Sequence, residues 1–93
     1  PREFFLSQNY PNPFNPVTVI DFTIAQTDIV TLKVYNSLGK EVATLVNDVM
    51  PPGRYSIPWK ASGMASGIYF YRLVASAEGH KLFAKVRKMV LIK

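Results

Sequence analysis

A chain of 93 residues has room for one domain and one core, and an apolar content of 48% puts it outside the disordered range. The absence of cysteine excludes disulfides, thiolate-ligated zinc and a cysteine nucleophile together. The formal charge of +5 is uneven: residues 1–80 hold six bases against all six acids, so Lys81, Lys85, Arg87, Lys88 and Lys93 carry the whole excess.

At this size folding buries somewhat above ~60% of the chain's surface, enough for a self-sufficient core. The longest apolar runs, Ile68–Tyr71 and Met89–Ile92, fall far short of the ~20 residues a helix needs to cross a bilayer. Phe4-Phe5-Leu6 is too short for the core of a signal peptide. The chain opens on Pro rather than Met, as a fragment of a longer protein would.

In chain order, residues 1–6 predict a short edge strand. Residues 9–16 then read Asn-Tyr-Pro-Asn-Pro-Phe-Asn-Pro. Each proline fixes φ and removes an amide donor, which excludes helix and central strand and predicts a stiff polyproline-like crossover. Tyr10 and Phe14 are expected against the sandwich edge. Val17–Ile24 alternates, with Ile20, Phe22 and Ile24 on one face, and Val30, Leu32 and Val34 do the same in the next strand. Asn36-Ser37-Leu38-Gly39 predicts a type I turn closed by a left-handed glycine, with Glu41–Val46 returning as the partner strand. Pro51-Pro52-Gly53-Arg54 reads as a type II turn with positive φ at Gly53. Tyr55, Ile57 and Trp59 share a face, and Pro58 opposite them places that strand at an edge or bulge. Ser62–Gly67 is a loop of small residues. Tyr69, Tyr71 and Leu73 alternate in Gly67–Ala75, and Ala77–His80 turns the chain into its last strand.

About seven short strands with no helical period predict an all-β fold, an immunoglobulin-like antiparallel β-sandwich. The expected organisation is one domain over residues 1–93: a proline-rich lead-in over 1–16, then a sandwich over 17–93 ending in the basic strand.

Catalytic patterns are missing. His80 adjoins Gly79 in a turn, Gly63-Met64-Ala65-Ser66-Gly67 lacks the Gly-x-Ser-x-Gly spacing of a nucleophile elbow, and the acids are scattered. No metal ligand set, phosphate-cradling loop, cofactor motif or Asn-x-Ser/Thr acceptor occurs, so no enzyme and no cofactor are expected. Trp59 with Tyr55, or Tyr69 with Tyr71, could form an aromatic platform for sugars, although alternating aromatics more often pack a core.

The basic end, Ala84–Lys93, is the unusual element. Five phosphate contacts would give a salt slope near about −4.5, but the rest of the chain has no basic excess and no nucleic-acid module, so nucleic acid is not the expected partner. Lysines also blunt a free sheet edge. Even positions Leu82, Ala84, Val86, Val90 and Ile92 form an apolar face interrupted by Lys88; odd positions start basic and finish with Met89 and Leu91. If the even face packs inward, Met89 and Leu91 are left outside; a bulge near Arg87-Lys88 would reverse this. A strand that cannot hide both sets by itself predicts that the last six residues meet a partner as an added or exposed strand; buried inside the domain, they would leave recognition to the folded surface around them.

Four stretches carry a resemblance: Leu6–Pro16, Val34–Val42, Gly67–Leu73 and Lys88–Lys93. In order and spacing they resemble the C-terminal sorting domain (type A) of the type IX secretion system of Bacteroidetes and related bacteria, over nearly the whole chain. The resemblance implies an immunoglobulin-like domain that directs an upstream, covalently linked cargo across the outer membrane. It implies as partners the outer-membrane translocon and a sortase-like peptidase, with transit through the periplasm and a final place at the cell surface or outside the cell. Lys88, Met89, Val90, Leu91, Ile92 and Lys93 would be the sorting signal. Asn9, Tyr10, Pro11, Asn12, Pro13, Phe14, Gly39, Gly67, Tyr69 and Tyr71 would be structural motif residues, and cleavage would fall upstream of or near Leu6-Ser7-Gln8. Set beside this are two other readings, an accessory module holding polysaccharide through Trp59 and a structural spacer resembling the flagellar hook-capping type.

Overall fold

Alternation of apolar and polar side chains decides which face each strand of this chain buries. The computed structural model describes residues 1–93. It holds seven strands, β1 (Phe5–Leu6), β2 (Val17–Ile24), β3 (Asp28–Asn36), β4 (Glu41–Met50), β5 (Gly53–Lys60), β6 (Gly67–Ala77) and β7 (His80–Leu91). They form two sheets, in the orders β1-β2-β5 and β4-β3-β6-β7, with every strand pair antiparallel. The chain is all-β, an immunoglobulin-like sandwich whose fourth strand lies beside the third.

The alternation in β2, β3 and β6 holds. Ile20, Phe22 and Ile24 face Val30, Leu32, Val34, Tyr71 and Leu73 across the sandwich, all 0% or 1% exposed. Leu6 and Phe14 from the lead-in join the same core. The β3–β4 turn forms as its residues dictate: Gly39 takes φ +83° and its N–H bonds Asn36 O at 2.9 Å. The Asn36 side chain accepts from Leu38 N and Lys40 N, both at 3.0 Å. Pro58 lies on β5, the edge strand of the smaller sheet. Glu78 and Gly79, at φ 52° and 78°, close the β6–β7 hairpin with both central residues at positive φ.

Four expectations are corrected. β4 runs to Met50 rather than Val46, with register shifts opposite Leu32/Lys33 and Val34/Tyr35 that hide its alternation. Gly53 does not take positive φ; it opens β5 opposite Ile24, because the chain crosses there from one sheet to the other instead of making a hairpin. Its bare Cα leaves room for the Tyr55 ring, whose hydroxyl a Cβ would meet at 3.4 Å and which itself donates to Pro51 O at 2.6 Å. Residues 9–16 are a bent clasp rather than a polyproline rod, bonding Val19 on one sheet and Val90 on the other. Within it Tyr10–Pro11, Asn12–Pro13 and Asn15–Pro16 are cis. Phe14 is buried there, but Tyr10 is 80% exposed.

The fourth correction concerns the basic strand. The extra residue is Leu82, between the pairs Ala75↔Phe83 and Ser76↔Lys81, and not near Arg87-Lys88. From there Tyr69, Tyr71 and Leu73 pair with Met89, Arg87 and Lys85. Cross-strand partners share a face, so the inward parity of β6 turns the odd positions of β7 inward. Met89 and Leu91 are fully buried, while Val86 and Ile92 are each 50% exposed.

Candidate functional site

The inward side of β7 is held at several points by the lead-in. Phe83 stacks on Phe4 with ring centroids 5.5 Å apart, and Arg87 Nε donates to Leu6 O at 2.7 Å. Lys85, on the same side, stays exposed. Met89 and Leu91 complete the core beside Tyr69 and Phe14. Phe14 leans on Trp59 at 5.8 Å, and Trp59 meets the edge of Tyr69 at 6.0 Å.

β7 is also the edge strand of its sheet, and an edge normally presents unpaired backbone groups. Here the clasp takes those of the terminal residues. Gln8 Nε2 donates to Lys88 O at 2.7 Å, and Val90 N donates to Asn12 Oδ1 at 2.9 Å. Phe14 N donates to Val90 O and Ile92 N to Phe14 O, both at 2.9 Å, a short parallel bridge. From Lys88 O to Ile92 N the edge is therefore occupied and takes no added strand, which overturns that form of the expectation. Upstream, no bond outside the sheets reaches Ala84 or Val86.

What keeps the clasp in shape is a buried polar knot around Asn9, itself 2% exposed. Asn9 Nδ2 donates to Thr18 Oγ1 at 2.9 Å and Pro11 O at 3.1 Å, and Thr18 Oγ1 donates to Pro11 O at 2.9 Å. Asn9 N donates to the Tyr71 hydroxyl at 2.8 Å, which itself donates to Ser7 O at 2.6 Å. Burial pushes the Tyr71 hydroxyl up to about 12, against the smaller downward pull of the Asn9 N–H and the Arg87 charge. Each of these buried polar groups has a partner, as a rigid, unique arrangement requires.

The motif residues thus converge on one feature. Asn9, Pro11, Asn12, Phe14, Tyr69 and Tyr71 lie in or against the clasp, whereas Gly39 sits in the β3–β4 turn and Gly67 opens β6 at φ 151°. Pro13 and Tyr10 are exposed. Gln8 and Arg87 tie the lead-in to β7 as well; the sequence marks them as a motif residue and a basic residue, and no local pattern shows these bonds. The sugar platform fails on burial, since Trp59 and Tyr69 are each 6% exposed and Tyr71 not at all.

A family model described as the secretion system C-terminal sorting domain matches residues 8–90. The chain belongs to this family. No curated protein and no solved structure shows a significant match to it. The sorting domain is the C-terminal signal of type IX secretion and exports the cargo joined upstream of it to the cell surface or the extracellular space; its family is not a family of enzymes. No helix of the sorting domain is long and apolar enough to cross a membrane.

Proposed function

We propose that the outer-membrane translocon reads Lys88–Lys93 on the folded domain, from the outward side of β7. The observation that supports this is the division of labour along the strand. Met89 and Leu91 anchor it in the core, and Lys88, Val90 and Ile92 point the other way, with Lys88 and Ile92 exposed. Side chains, not an open backbone edge, are then what a translocon meets.

In this reading the cargo reaches the translocon from the periplasm with its sorting domain folded. A sortase-like peptidase then removes the domain, and the cargo is released or attached to anionic lipopolysaccharide at the surface. The cut falls upstream of Phe4. Leu6 is fully buried, Ser7 N donates to Asp21 O at 2.9 Å, and Thr23 Oγ1 donates to Glu3 O at 2.9 Å, so Leu6-Ser7-Gln8 offers no extended exposed backbone.

Deleting Lys88–Lys93 would remove Met89 and Leu91 from the core and confuse unfolding with loss of the signal. The discriminating variant is K88E/V90S/I92S, which alters the outward side alone, fused behind a reporter in a bacterium with a type IX system. The expected result is a folded domain with its reporter trapped in the periplasm. Export at the unmodified rate would sink the reading.

A further inference from the structure

The outward side of β7 does not stop at β7. Register places Ile68 opposite Val90, Phe70 opposite Lys88 and Arg72 opposite Val86. Cross-strand partners share a face, so these β6 side chains stand in the same row as the terminal ones. Ile68 is 43% and Ile92 50% exposed, and Phe70 and Val90 are half-buried, which makes a continuous apolar strip across two strands. Lys88 and Arg72 lie within and beside the strip, and neither belongs to an ion pair; Glu41, the acid on this face, is engaged by Lys33 at 3.2 Å.

We infer that the recognised surface is this two-strand patch, with Ile68, Phe70 and Arg72 of β6 as much a part of it as Lys88, Val90 and Ile92, and that its partner is a protein surface bearing an apolar ridge with carboxylates within and beside it. The inference rests on the reading that the outward side of the terminal strand is what the translocon meets. Charge sets the partner: unpaired cations bordering an apolar strip complement fixed acids. A second copy of this chain would set Lys88 and Arg72 against like charges. Lys88 stands opposite Phe70 in the register, in the middle of the strip rather than at its rim. A carboxylate held between apolar side chains suits that position, whereas acyl chains would leave the charge unmatched.

The test uses R72E and I68S/F70S on the same reporter fusion, beside K88E/V90S/I92S. The control I29T/V49S lies on the same outer face, on β3 and β4, where Ile29 and Val49 are 51% and 59% exposed. Folding is followed by Trp59 fluorescence. Export is expected to fall at least tenfold for R72E and I68S/F70S, with native fluorescence kept, and to stay unchanged for the control. Should I68S/F70S fail to fold, R72E and a single I68S decide. Unchanged export of those two, with K88E/V90S/I92S blocked, overturns the two-strand surface and leaves the terminal reading standing; export of all variants overturns both. Loss of export in the control overturns the assignment to this patch. Flotation of the domain with phosphatidylglycerol vesicles, abolished by R72E, would overturn a protein partner in favour of a membrane.

Discussion

Tyr71 shows how much rests on one hydroxyl. It accepts from Asn9 N and donates to Ser7 O, so it fixes the entrance to the clasp from the centre of the opposite sheet. Tyr71→Phe leaves the buried Asn9 N and the part-buried Ser7 O unpaired, and is expected to cost about 1–3 kcal/mol, read as a lower thermal midpoint. The same hydroxyl makes the fold sensitive to alkali in one direction. Its folded value lies above the ordinary 10, so the native state keeps a proton that the unfolded chain gives up. That stability is fully present below about pH 10 and is lost as pH rises toward 12. Melting curves from pH 9 to 12 should therefore fall more steeply for the native sequence than for Tyr71→Phe; parallel curves would refute the link. Gly39 is simpler, a left-handed position at a turn whose residue types announce it.

At the end of the chain, the inward and outward residues of the terminal segment are expected to do opposite work. Met89→Ala opens a cavity in the core and should cost about 2–5 kcal/mol, whereas Ile92→Ser removes a half-exposed side chain and should cost under about 0.5 kcal/mol. Urea titrations of the two variants check this, and equal losses would mean that the two faces are not separated. This parity was the hardest thing to read in advance. Both sides of the tail carry apolar residues, and the residue that settles the register, Leu82, lies far upstream in the hairpin. By contrast β2 and β3 are legible because polar residues interrupt their outward side, and β6 because its inward row pairs with that of β3 without a register shift. The clasp escaped for another reason. Gln8 and Lys88 are 80 positions apart, Arg87 and Leu6 81, and pairs of side chain with distant backbone leave no local pattern. The motif spellings marked the right residues there, but not what they touch. Positive φ at Gly53 failed because the proline-glycine signal does not distinguish a hairpin from a passage between sheets.

At the scale of the molecule, the lead-in is a working part of the sandwich. Removing residues 1–16 takes away β1, Leu6 and Phe14, exposes one side of Trp59 and uncovers the edge of β7. Acrylamide quenching of Trp59 should be weak in the whole chain and strong in that truncation, close to its value in urea. Protection that survived the truncation would show that 17–93 suffices. The charge distribution agrees with this division, a body of balanced charge with its surplus gathered where the terminal strand meets solvent. The clasp has one more consequence. Phe14 near the start of the chain and Leu91 near its end form a single bridge, so the fold cannot close until translation has delivered its final strand. A polypeptide released before Met89 lacks Met89 and Leu91 and leaves Phe14 and the Asn12 side chain without their counterparts, so its sandwich is expected to stay open.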